Sequence, residues 1–90
     1  MSTPSVTIEF YGMPRARAGR SELTVRGATV RDALAALAAA APQLADLCLP
    51  DGRVAPHYAL SLDGKRFLTD PAEQLQPGAR LLLLSADAGG

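Results

Sequence analysis

The sequence predicts an α+β roll, a mixed sheet of four to five strands crossed on one face by a single main helix. Three observations carry that expectation. Two stretches near the N-terminus alternate apolar and polar residues with period two. After Gly27 the apolar spacing becomes helical, and beyond residue 57 alternation returns and ends in the run Leu81 to Leu84. With 90 residues, 48% of them apolar, the chain suits one small domain and leaves no room for a second core.

The elements follow in order. Over residues 5–11, Val6, Ile8 and Phe10 alternate with Thr7 and Glu9, a half-buried strand. Gly12 and Pro14 end it, and a basic loop carrying Arg15, Arg17 and Gly19 is expected next. Residues 22–26 alternate again, so the two segments read as an antiparallel hairpin with a long loop. Thr29 is suited to cap a helix, with Asp32 three residues on, near the positive end of the helix dipole. Val30, Leu34, Leu37 and Ala41 share one face, which predicts a helix from about Val30 to Ala41 that Pro42 stops.

Leu44 and Leu47 read as core contacts, and Pro50, Asp51, Gly52 and Pro56 as turn residues. Tyr58, Leu60 and Leu62 predict a third strand, and Asp63-Gly64 a hairpin turn into a short strand around Arg66 to Leu68. Residues 70–75 are expected to form a single helical turn, and residues 79–85 the last strand. The β-grasp is the smallest fold with this order of elements, and it places the last strand centrally beside the first.

Composition excludes several functions. Nine basic residues, eight Arg and Lys65, balance nine acidic ones, so the excess charge that grips nucleic acid is missing. One cysteine, Cys48, and one histidine, His57, cannot build an internal disulfide or a Cys/His metal site. Cys48 lies between leucines and reads as a small buried residue; His57 reads as solvent-facing, and Asp63 and Asp70 as turn residues. No catalytic residue, resident cofactor or metal is therefore expected. The longest uncharged stretches fall short of the roughly 20 apolar residues that span a bilayer, and no secretory signal is recognisable. A cytoplasmic chain without membrane contact is expected.

Two features call for a function. In a strand, successive side chains point to opposite faces, so two of the four leucines 81–84 cannot lie under the helix. They predict an apolar partner surface. The other feature is the terminus, where Ala86 to Gly90 follow directly on the last strand. Gly89 and Gly90 carry no β-carbons and could thread a narrow channel to deliver the Gly90 carboxylate. The expected organisation is a domain over residues 1–85 and a tail over 86–90.

The pattern resembles the ubiquitin-like sulfur carriers, the group of the molybdopterin-synthase small subunit and the thiamine-synthesis carrier. The matching residues are Val6 to Gly12, Thr29 to Leu34, Leu62 to Lys65, Leu75 to Ala79 and the terminal Leu84 to Gly90. The resemblance implies a sulfur carrier rather than an enzyme. An adenylating enzyme of the ubiquitin-activating type would use ATP to activate Gly90, which then becomes a thiocarboxylate. A sulfur-accepting synthase large subunit would take the tail, with molybdopterin the first expected product. The resemblance further implies that Ala88 and Gly89 belong to the inserted tail and that Leu82 and Leu84 contact partners, leaving Leu81 and Leu83 toward the helix. Thiamine ranks lower, because the chain is longer than the usual thiamine carriers. A protein modifier, or a carrier for thiamine, cysteine or another thio-metabolite, is the alternative.

Overall fold

The computed structural model describes residues 3–86. Five strands, β1 (Ser5–Phe10), β2 (Glu22–Arg26), β3 (Tyr58–Leu62), β4 (Arg66–Phe67) and β5 (Arg80–Ser85), form one sheet in the order β2-β1-β5-β3-β4. β1 and β5 are parallel, and every other neighbouring pair is antiparallel. The last strand thus lies centrally beside the first, as the element order predicts for a β-grasp. Parallel neighbours need a long crossover, and here the chain between β1 and β5 supplies it.

That crossover includes the main helix, α2 (Val30–Ala40). The Thr29 hydroxyl accepts a hydrogen bond from the Asp32 N–H at 3.2 Å, the predicted cap. The helix N-terminus still has N–H groups without intrahelical partners. Val30 donates to the Glu73 carbonyl at 3.0 Å and Arg31 to the Pro71 carbonyl at 2.9 Å. This docking explains why residues 70–75 form a turn and a β-bridge between Gln74 and Thr29, rather than the predicted helical turn. The Pro71 and Glu73 carbonyls serve α2, and only the Asp70 carbonyl closes a local turn, accepting from the Glu73 N–H at 3.1 Å.

The second difference lies between β1 and β2. Where the sequence predicts a basic loop, Met13–Ala18 forms a short helix, α1. It begins around Pro14 and ends at Gly19, whose N–H donates to the Arg15 carbonyl at 3.0 Å. A helix of one to two turns is not stable alone; tertiary contacts hold it. Arg17 donates to Asp46 at 2.5 Å and to the Gln43 carbonyl at 3.0 Å, while Gln43 donates back to the Ala18 carbonyl at 3.1 Å. These partners sit on a 3₁₀ segment, Pro42–Leu47, that follows α2.

The core lies between α2 and one sheet face. Ile8 pairs with Leu81, and Leu83 lies between Phe10 and Leu60. These side chains, with Leu34, Leu37 and Leu44, are all buried, each contributing roughly 1.5–3 kcal/mol on removal from water. At the β3–β4 turn, Asp63 (φ 56°) and Gly64 (φ 72°) both adopt the left-handed conformation that an Asp-Gly turn favours.

α2 comes very close to the chain at Gly27, just beyond β2, where an added Cβ would lie 2.5 Å from the Ala33 nitrogen. Backbone on both sides leaves no side chain to yield. Gly27→Ala is therefore expected to destabilise the fold by about 1–3 kcal/mol, the usual range for overpacking, measured as a lower urea midpoint. An unchanged midpoint would show that α2 is not seated this closely.

Candidate functional site

Among the described residues, no helix lies over the sheet face opposite α2, and β5 runs through its centre. Along β5, Leu81 and Leu83 are buried while Leu82 and Leu84 are half-buried on the opposite side. The alternation predicted from the sequence thus holds in the structure. Register places Leu82 between Glu9 and Ser61, and Leu84 opposite Ala59. Phe67, paired with Ser61 and 62% exposed, extends the apolar surface toward the sheet edge.

A polar network borders the leucines on the β1 side. Arg80 donates through Nε to Glu9 at 2.6 Å and through its terminal nitrogen to Glu22 at 3.0 Å. The Tyr11 hydroxyl donates to the other oxygen of Glu9 at 2.5 Å. The Tyr11 hydrogen bond, with Arg80 second, holds the Glu9 carboxyl below the ordinary carboxylate range. The same bond raises the Tyr11 phenol, because losing its proton would set two negative charges together. Alternation alone put Glu9 outward; the meeting with Arg80, 71 residues away, required the parallel pairing.

The end of β5 is pinned on both sides. Tyr11 donates its backbone N–H to the Leu83 carbonyl at 3.0 Å, and Ala86 donates to the His57 carbonyl at 2.8 Å. Gly12 comes so near that a Cβ there would lie 3.4 Å from the Ser85 hydroxyl. The chain therefore leaves the sheet at a defined point, between Gly12 and the exposed His57. Ala86 also lines a cleft of about 520 Å³ shared with Val30, Leu34, Tyr58 and Leu68, which sequence reasoning missed because its walls come from five separate segments. Ala88, Gly89 and Gly90, the predicted tail residues, lie outside the described residues.

The discounted candidates occupy ordinary positions. Cys48 is half-buried, and burial, with the negative Asp46 second, pushes its thiol up to about 11, the opposite of an activated nucleophile. Asp70 accepts from the Ala72 N–H at 2.9 Å, a turn contact. Among the described residues, no group of three or more His, Cys, Asp or Glu could hold a metal ion. No described helix is long and apolar enough to cross a membrane.

A five-stranded mixed sheet with the last strand at its centre and one main helix across a single face defines a small ubiquitin-like β-grasp protein. No family model and no curated protein matches the sequence, whereas solved structures do. The chain is similar to SAMP1, small archaeal modifier protein 1, of Haloferax volcanii, with 28% identity, 96% of this chain and 99% of that one covered, and TM-score 0.79. It is similar to the HVO 2177 protein of the same organism, with 30% identity, 98% and 88% covered, and TM-score 0.76. A chain of the BexX/CysO complex of Amycolatopsis orientalis shares the fold at 18% identity, with 94% and 99% covered and TM-score 0.76. The chain belongs to the ubiquitin-like sulfur-carrier family.

The two faces of β5 give opposite mutational outcomes. Leu83→Asp places a charge in the core and should unfold the domain, whereas Leu84→Asp should leave the far-ultraviolet circular dichroism unchanged. Equal unfolding by both would mean that the open face is covered. For the polar network, Tyr11→Phe should raise the Glu9 titration midpoint in a carboxyl carbon-13 spectrum. Because the folded value of Glu9 is depressed, its contribution to stability is present above the ordinary carboxylate range. It fades as pH falls through the folded midpoint. An unmoved Glu9 would show that the phenol does not act on it.

Proposed function

We propose that this chain is a sulfur carrier whose reacting group is the carboxylate of Gly90. The observation that carries the reading is the placement of Gly89-Gly90 four residues beyond a strand end that is pinned beside the open leucine face. Four extended residues reach roughly 13–14 Å from Ala86, enough to enter a partner's site while Leu82 and Leu84 rest on that partner's surface. Membership of the family supports the same chemistry.

A carboxylate is a poor electrophile and must be activated. An adenylating enzyme of the ubiquitin-activating type would bind ATP. The Gly90 carboxylate oxygen attacks the α-phosphorus, the bond to pyrophosphate breaks, and an acyl-adenylate forms. The outer sulfur of a persulfide on a donor protein then adds to the acyl carbon and AMP leaves, forming an acyl disulfide. A thiol next attacks the donor's inner sulfur, so that the thiocarboxylate leaves and the two thiol sulfurs are left joined as a disulfide. The sulfur finally passes to a small-molecule precursor on a synthase large subunit, with the molybdopterin precursor the first recipient to test. In this scheme residues 1–85 dock, residues 86–90 carry, and the catalytic residues lie on the partners. ATP is the partner's substrate, and this chain needs no cofactor of its own.

A second reading is favoured by the likeness to SAMP1, whose full name describes a modifier protein. The same adenylate, attacked by a lysine amine, would give an amide bond to a target protein. The two readings differ only in the nucleophile that reaches the acyl carbon.

Intact-protein mass spectrometry tests the carrier step. With the activating enzyme, ATP and a sulfur source, the wild type should gain the mass of one oxygen replaced by sulfur. One alanine added after Gly90 displaces the carboxylate by about 3.3–3.6 Å, and misplacement of even about 1 Å can cost on the order of a hundredfold in rate. The extended variant and a deletion of Gly89 and Gly90 should therefore gain nothing, with thermal stability unchanged. Equal conversion of the extended variant would overturn the assignment of Gly90. Conjugates in cell extract that vanish with the deletion would favour the modifier reading.

A further inference from the structure

The sheet ends in an edge strand whose sequence complements itself. β2 bonds to β1 through alternate residues: Phe10 donates to the Ser21 carbonyl at 2.8 Å and Gly27 to the Pro4 carbonyl at 3.0 Å. With Ile8 opposite Leu23 and Val6 opposite Val25, it is the odd-numbered residues of this segment that face β1. The N–H and C=O groups of Glu22, Thr24 and Arg26 therefore point away from the sheet. Among the described residues, one of these six groups has a partner, the Glu22 carbonyl, which accepts from Arg20 Nε at 2.9 Å. That carbonyl keeps a second lone pair. Such a row of open groups is a template for another strand.

We infer that β2 is a self-association edge, pairing antiparallel with β2 of a second copy about a two-fold axis at Thr24. In this register Glu22 stands opposite the partner's Arg26, and Arg26 opposite the partner's Glu22. Thr24 meets its own counterpart, and Leu23 meets the partner's Val25 on the core side. All six outward backbone groups find a partner. The side chains fit the arrangement: Arg26 is exposed and makes no ion pair among the described residues, and Glu22 uses only Oε1 to hold Arg80, leaving Oε2 free. Leu23 is only half-buried and gains cover. Parallel pairing in register would instead set Glu22 against Glu22 and Arg26 against Arg26, which is destabilising.

The geometry leaves the proposed carrier surface open. β5 runs antiparallel to β2, so the two-fold axis sends the two chain ends in opposite directions, and both leucine faces lie uncovered on the same side of a ten-stranded sheet. A pair of five-residue strands buries well under the roughly 1,000 Å² of a stable interface, so the association is weak and concentration-dependent.

Sedimentation equilibrium of the full chain, with amide shifts followed on dilution, tests the pairing. The wild type should dimerise with a dissociation constant below about 1 mM, with the largest shifts at Glu22, Thr24 and Arg26. Arg26→Glu puts like charges opposite each other and should weaken the dimer about tenfold or more, with circular dichroism unchanged. Glu22→Arg alone should do the same, and an equimolar mixture of the two variants should recover association as a heterodimer. A wild type monomeric throughout that range overturns the inference. So does an Arg26→Glu variant that associates like the wild type.

Discussion

The parallel pairing of β1 with β5 is the constraint on which the rest of the molecule depends. It joins residues more than 70 positions apart, with Thr7 opposite Arg80 and Phe10 opposite Leu83. Parallel neighbours cannot be joined by a short turn, so the intervening chain must leave the sheet and return. α2 makes that excursion, and its apolar face covers one side of the sheet only. The other side is left open because the crossover supplies no second layer.

From this pairing follow both faces of β5. With Leu81 and Leu83 beside Ile8 and Phe10 in the core, Leu82 and Leu84 have nowhere to point except outward. Their outward orientation is thus a consequence of burying their neighbours, and a one-residue slip would exchange the two sets. The same register brings Arg80 to Glu9 and Glu22, so a charged network flanks the apolar surface without entering it. Hydrogen bonds from Tyr11 and Ala86 then hold the strand to its end, which fixes where the chain departs.

Chemistry is divided accordingly. The described part of the chain holds a thiol raised to about 11 and no cluster of metal-ligating groups. In the proposed mechanism the reactive group is displaced from that surface onto a tail of small residues. Docking and delivery can then be separate physical tasks: the leucine face supplies contact area, and the two terminal glycines supply the narrow cross-section. β2 sits at the far edge of the sheet, so pairing there engages neither function.

Much of this was legible in the sequence because the period of the apolar residues is a local property. Val6, Ile8 and Phe10, the helical spacing of Leu34 and Leu37, the Thr29 cap and the Asp63-Gly64 turn each report on a few adjacent residues, and each appears in the structure where expected. The sorting of Leu81 to Leu84 into two faces was equally local. What the sequence could not show depends on distant partners. Residues 13–18 become helical because Asp46 and Gln43 hold them, and residues 70–75 do not wind into a helix because the Pro71 and Glu73 carbonyls satisfy the N-terminus of α2. The cleft at Ala86 and the bonding of Glu9 to both Tyr11 and Arg80 likewise arise only when separate segments meet. Periodicity decides which side of an element is apolar, whereas long-range hydrogen bonding decides which elements find each other.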